Sequence, residues 1–215
     1  MQMRITWYGH ACFKVQGESS IVTDPHDGKS IGLPVPSVEA DIVLMSHDHF
    51  DHNCKSVVKN RDCKLINKPG KYSEKGFEIT GIETFHDEAG GSKRGKNIVF
   101  KFKHGEINFC HLGDLGHALT HEHAEKLGDV DVLFIPVGET YTLPVSECWK
   151  TINVLQPKIV IPMHYKIGSL SLPISSVEVF LRNAGSEEVV HLGSREKDID
   201  KEDLSSRRKI WVFSF

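Results

Sequence analysis

The sequence predicts a mixed α/β chain in which helices cover one or two mixed β-sheets. Three observations carry that class. Strand-sized segments rich in Ile, Val and Phe recur along the whole chain, bounded by Gly, Pro or Asp. Segments with helical periodicity are fewer, and they follow strands. With 39% apolar and 26% charged residues the chain can bury a core, which excludes a disordered polymer. Its 215 residues suit one domain over 1–215, or two closely merged halves.

Taken in order, "MRITWYGHACFKV" holds strands at 3–8 and 11–16, and "GESS" turns the second into a third at 20–23. The apolar run at 42–46 is a strand, followed by a helical pattern at 53–60. A short strand at 64–66 precedes a longer one at 77–84. "NIVFKFKHGEINFCHLGD" reads as a hairpin of 97–103 and 106–111 that turns at "HGE". Helical patterns at 119–127 and 145–155 lead to strands at 132–136 and 158–162. A last helical pattern at 175–184 precedes strands at 188–191 and 209–214.

Composition also narrows the partners. A net charge of −3 gives no electrostatic reason to bind nucleic acid. The basic stretches "GSKRGK" (91–96) and "SSRRK" (205–209) read as solvated loops. The longest apolar runs, such as "VLFIPV", are strand-sized and too short to span a membrane. The N-terminus lacks the basic-then-apolar pattern of a secretion signal. Five cysteines without a C-x-x-C pair fit reduced thiols in the cytoplasm. A small-molecule substrate is therefore expected, with no nucleic acid and no membrane; the oligomeric state, a homo-oligomer included, stays open.

Histidine is the outlier, thirteen in all. "MSHDHFDH" (45–52) follows the strand "DIVL" and crowds His47, His49, Asp51 and His52 together. His86 follows "FEITGIETF", Asp114 follows "INFCHLG", and His164 follows "KIVIPM". All four polar clusters thus sit just past the C-terminal end of a strand, where loops converge to bind ligands. In extended backbone His47 and His49 project the same way. Imidazole and carboxylate without thiolate suit zinc, manganese or iron, and argue against a purely structural zinc knot. Seven such ligands are too many for one tetrahedral ion and suit two ions that share a carboxylate.

"SHDHFDH" matches the H-x-H-x-D-H signature of the metallo-β-lactamase fold superfamily, and the chain resembles it over nearly its whole length. "WYGHACFKV", "VTDP", "FHDEAGGSKRGKN", "HLGDLGH" and "IPMHY" are similar to its branch of stand-alone metal-dependent hydrolases. That branch includes the ascorbate-6-phosphate lactonase relatives; N-acyl-phosphatidylethanolamine phospholipase D is a more distant member. The resemblance implies a four-layer αββα sandwich of two mixed sheets flanked by helices, with the site at one edge between the sheets. It implies that His47, His49 and His86 hold one metal, that Asp51, His52 and His164 hold a second, and that Asp114 bridges them. Asp51 and His164 are expected to be catalytic as well as metal-binding. Two divalent ions are implied, zinc first and manganese next, with iron or nickel also suited. His49 speaks against the flavodiiron oxidase branch, which usually has glutamate there.

Other motifs carry less. "GGSKRGKN" (90–97) nearly spells a phosphate-binding loop, but a strand rather than a helix follows it, so the motif lacks its helix N-terminus. Arg94 and Lys96 remain candidates to meet an anionic substrate at the rim. His121 and His123 lie two apart on a helical pattern and cannot share a metal. His111 is an alternative to His86, though a packing role suits its strand position better. His10 and Asp24 are expected to orient ligands or loop backbone, with a turn-starting role for Asp24 equally open.

Two cations a few ångströms apart lower the pKa of a shared water, which implies a bridging hydroxide as the nucleophile. The function expected is hydrolysis of an ester, lactone or phosphodiester bond in a small, anionic substrate. The rival readings are a non-catalytic metal-binding or sensor module on the same fold, and a dinuclear redox enzyme. Substrate identity does not follow from fold.

Overall fold

Short strands from the N-terminal third pair into a six-stranded sheet. It comprises β1 (Met3–Trp7), β2 (Phe13–Gln16), β3 (Ser20–Thr23), β4 (Ile42–Leu44) and β5 (Lys64–Ile66), with β13 (Glu196–Ile199) added beside β1. Pairing is antiparallel from β13 to β3 and parallel from β3 to β5. The second sheet has eight strands. Four of them, β6 (Gly70–Glu74), β7 (Phe77–Phe85), β8 (Lys96–His104) and β9 (Ile107–His111), pair antiparallel. The other four, β10 (Val132–Pro136), β11 (Ile159–Met163), β14 (Lys209–Val212) and β12 (Glu188–His191), continue from β9 in parallel. This computed structural model describes residues 2–204 and 207–215, so Ser205 and Ser206 of the second basic stretch lie outside the described residues.

Aromatic side chains fill the space between the sheets. Phe13 of β2 meets Phe134 of β10 with ring centroids 4.7 Å apart, and Phe102 stacks on Phe109 at 5.3 Å. Each such side chain, fully buried, contributes about 1.5–3 kcal/mol. Alternation along β10 turns Leu133 and Ile135 to the opposite face, where they too are fully buried. Helices α1 (His121–Leu127), α2 (Val145–Leu155) and α3 (Val177–Leu181) join the same apolar cluster. The α2 thiol of Cys148 reaches the Pro136 carbonyl, and Trp149 stacks on Phe180 of α3. The result is the two-sheet α/β sandwich that the strand and helix pattern predicts.

Some elements differ from the sequence reading. No α-helix spans 53–60; a single 3-10 turn at Lys55–Val57 takes its place. Cys54 N donates to the Pro25 carbonyl, Val58 bridges to Val38, and Lys59 N donates to the Val38 carbonyl. These ties pull the segment into extended backbone over a small apolar cluster of Cys12, Val22, Val38, Val43 and Val58. The outer layer of the six-stranded sheet is therefore loop and 3-10 turn rather than helix. Strands β6 and β13, "GKYSE" and "EKDI", were not expected, because edge strands carry the charged residues that strand propensity disfavours. The second strand starts at Phe13 rather than 11, since residues 8–12 form a turn closed by Tyr8 N and the Cys12 carbonyl.

That architecture gathers the polar clusters. Because β7 and β9 both run antiparallel to β8, and β9 to β11 run parallel, the ends of β7, β9 and β11 share one edge. His86, Asp114 and His164 follow those ends, and the 47–52 stretch follows β4 of the other sheet.

Candidate metal centre

Asp114 sits at the middle of the cluster, 2% exposed. Its Oδ2 lies 3.2 Å from His86 Nε2, 3.2 Å from His164 Nε2, 3.3 Å from His52 Nε2 and 3.8 Å from His47 Nε2. Asp51 Oδ2 stands 3.6 Å from the same His52 nitrogen. His49 packs its ring 4.5 Å from His47 and 4.9 Å from His86. The structure thus brings all seven sequence-predicted residues together, in two sets around Asp114. Ring nitrogens of His47, His49 and His86 converge on one side, and His52, His164, His10 and Asp51 converge on the other.

These donors fit divalent ions. Two ligand atoms on one tetrahedral zinc stand about 3.4 Å apart when each bond is about 2.1 Å, and the spacings around Asp114 bracket that value. His47 Nε2, His52 Nε2 and Asp114 Oδ1 are buried without a hydrogen-bond partner among the described residues. Leaving such atoms unpaired is costly unless a ligand engages them. Neutral imidazole is the form that binds a metal. Burial, aided by neighbouring His52, pushes His47 down to about 3, and burial with neighbouring His164 does the same for His10. Burial alone would raise the Asp114 carboxyl, but His164 and His52 hold it well below the carboxylate range. Burial also opposes charge on His52, yet Asp114 and Asp51 raise it well above the ordinary imidazole value. The centre is a buried pair of carboxylates that calls for cations.

A second ring of contacts aims these side chains. Asp24 accepts hydrogen bonds from Ser46 N (2.7 Å) and Ser46 Oγ (2.7 Å), and its Oδ2 pairs with His52 Nδ1 at 3.0 Å. Ser46 Oγ lies 2.8 Å from His47 Nδ1, so one carboxylate sets two imidazoles. His10 Nε2 hydrogen-bonds Asp51 Oδ2 at 3.1 Å. His10 and His164 both adopt the left-handed region, at φ 54° and 52°, and are tied by His164 N to the His10 carbonyl. Strain of this kind concentrates at functional sites. Asn97 Oδ1 accepts from Asp114 N while its amide donates to Thr84 Oγ1 and the Leu112 carbonyl. Gly113, at φ 58°, makes the bend before Asp114, and a Cβ there would run into Asn97 and Ser46.

His111 points elsewhere. It is fully buried, its Nε2 meets the Ala11 carbonyl at 3.0 Å, and it belongs to neither set around Asp114. His123 caps the start of α1 through Thr120, and His121 is exposed, so that pair stays away from the centre. Lys96 does not reach the rim; it pairs with Glu83 at 2.9 Å on the neighbouring strand. Arg94 does reach it. The centre opens into a cleft of roughly 410 Å³ lined by Phe50, Arg94, Tyr141 and Leu172 together with ligand-type residues.

The family model described as "Beta-lactamase superfamily domain" matches residues 4–164, about three-quarters of the chain, from β1 to His164. The chain belongs to the metallo-β-lactamase superfamily. Among solved structures it is similar to a Thermotoga maritima protein named as a candidate zinc-dependent hydrolase of that superfamily. The two are 40% identical, with 98% of each chain covered and a TM-score of 0.77. A metal-dependent hydrolase of Thermoplasma volcanium is 28% identical over 77% of this chain and 84% of its own length. Igni18, a metallo hydrolase from Ignicoccus hospitalis, shares the fold at 17% identity and a TM-score of 0.67, over 93% of this chain and 99% of its own.

Several contributors to this metallo-β-lactamase centre escape a reading of motifs. Ser46 and Asn97 hold ligand-type residues yet belong to no metal-ligand alphabet. Asp87, next to His86, accepts from the backbone N–H groups of Ala89, Gly91, Lys93 and Arg94 and folds the whole 87–94 loop around itself. An aspartate three residues ahead of a glycine pair was the available signal for that turn. Tyr141 had no sequence signal at all.

Proposed function

We propose that the protein is a metal-dependent hydrolase that holds two divalent cations and cleaves an ester, lactone or phosphodiester bond of a small substrate. One observation carries this reading: Asp114 Oδ2 lies within 3.2–3.8 Å of four imidazole nitrogens drawn from both sheets. In it His47, His49 and His86 would hold one ion, Asp51, His52 and His164 would hold the other, and Asp114 would be shared between them. When bound, such a pair supplies an acidified water as nucleophile and a Lewis acid for the developing negative charge. Zinc suits the histidine-rich set best, and manganese next.

The remaining roles belong to the chain itself. Asp24 and Ser46 fix the orientation of His52 and His47, and His10 fixes Asp51, so the donors are set before substrate arrives. Phe50, Leu172 and Tyr141 give the cleft apolar surface beside the ligand-type residues. Its size suits a small molecule. We place the protein in the cytoplasm as one domain, a reading supported by five unpaired cysteines and by an apolar core that draws on both sheets. No helix among the described residues is long and apolar enough to cross a membrane.

The test is hydrolysis of a panel of p-nitrophenyl esters, lactones and phosphodiesters by protein with and without metal. Chelation should abolish turnover, zinc or manganese should restore it, and the His47→Ala protein should stay inactive at any metal concentration. Turnover that survives chelation, or an unimpaired His47→Ala protein, would refute the reading.

A further inference from the structure

Two cations, Lys93 and Arg94, lie in the loop between His86 and β8, a third, Lys96, opens β8, and two of the three are neutralised. Lys93 pairs with Glu88, and Lys96 pairs with Glu83. Arg94 is different. Among the described residues its guanidinium meets no carboxylate, although its backbone N–H is one of the four that Asp87 captures at 2.7 Å. The Asp87 anchorage therefore fixes where the Arg94 side chain leaves the loop. From there the guanidinium carbon stands 4.7 Å from the centre of the Tyr141 ring, and both residues line the cleft with His49, Asp51, His86, Asp114 and His164.

That arrangement has a chemical consequence. A guanidinium lying over an aromatic face uses its π surface for the ring and leaves its in-plane N–H groups free. Those donors form a planar fork that matches the two oxygens of a carboxylate or phosphate. The ring also limits the rotamers an exposed arginine would otherwise sample, so less order is lost on binding. Phe50, 56% exposed, and Leu172 add apolar surface beside the fork. A polar cation, an aromatic platform and an apolar lip thus face one cleft.

We infer that the cleft takes an amphipathic anion, a molecule with a carboxylate or phosphate held by Arg94 and an apolar body against Phe50, Leu172 and Tyr141. This rests on the hydrolase reading for the position of the scissile bond, but the anion site itself stands on Arg94 and its surroundings. Arg94 is a specificity residue that touches substrate, and Asp87 is the residue that positions it.

Calorimetric titration of the metal-loaded protein with phenylphosphate, with phenylacetate and with the neutral 2-phenylethanol separates the two anions from each other and from the apolar body. Wild-type protein should bind at least one of the anions well above the alcohol. Arg94→Met, which keeps bulk and loses charge, should weaken that anion about ten- to a hundredfold and leave the alcohol unchanged, as expected for loss of a charge-assisted hydrogen bond. Arg94→Lys should recover part of the loss, and circular dichroism with metal content should match wild type in both variants. Whichever anion depends on Arg94 identifies the group. Equal anion affinity in wild type and Arg94→Met, or no preference for either anion over the alcohol, would overturn the inference. The hydrolysis panel fails or succeeds independently, since these titrations require no turnover.

Discussion

Asp24 touches no atom that a substrate would reach, yet three groups of the centre depend on it. It stands at φ 38°, in a conformation costly for a residue with a Cβ, and so holds Ser46 and His52 in place. Of the two roles its place before Pro25 leaves open, its carboxylate takes the orienting one, since its hydrogen bonds go to Ser46 and His52. At the same scale His86 and His111 separate. His86 Nε2 faces Asp114 Oδ2, whereas His111 spends its Nε2 on the Ala11 carbonyl. His86→Ala should lose both metal and hydrolysis, while His111→Ala should keep most of its metal and melt at a lower temperature. Metal analysis paired with thermal unfolding reads the two effects; metal loss in His111→Ala equal to that in His86→Ala would reverse the assignment. β9 stops at His111 and Gly113 bends the chain before Asp114, so strand position alone does not separate the two residues, and the Ala11 contact does.

Among the elements, the 86–95 loop shows how much of a site lies in backbone hydrogen bonds. Asp87 is 3% exposed and its carboxyl is held at about 2, since four backbone N–H donors outweigh the burial that would raise it. Asp87→Ala should free the loop. Limited trypsin digestion should then cut after Lys93 or Arg94 many times faster than in wild type, with bound metal slowing the cut in wild type only. Unchanged cleavage would show that the loop is held by other means. Such a network is hard to see in sequence, because backbone donors leave no residue signature. Apolar strands such as β10 and β11 were legible from their Ile, Val and Phe content, and so were the hairpins from Gly-containing turns. The charged edge strands β6 and β13 were not, since their pairing is set by neighbours already in the sheet. The 53–60 segment misled for a related reason: its helical spacing is local, but its ties to Pro25 and Val38 are not.

Over the whole molecule, two sheets place their strand ends at a common edge, and this explains why ligand-type residues spread from position 47 to 164 meet. The sequence showed that every cluster follows a strand; which strands are neighbours came only with the pairing of β7 to β11 in one sheet and β4 in the other. Asp114 is the point where the contributions join, so it also bears the central claim, a centre of two cations bridged by one carboxylate. Metal content per chain, by mass spectrometry on protein loaded with zinc and freed of excess, tests it directly. Wild type should retain about two ions, Asp114→Ala should lose both, and Asp51→Ala should keep about one. A single ion in wild-type protein, or equal retention in the two variants, would contradict the account.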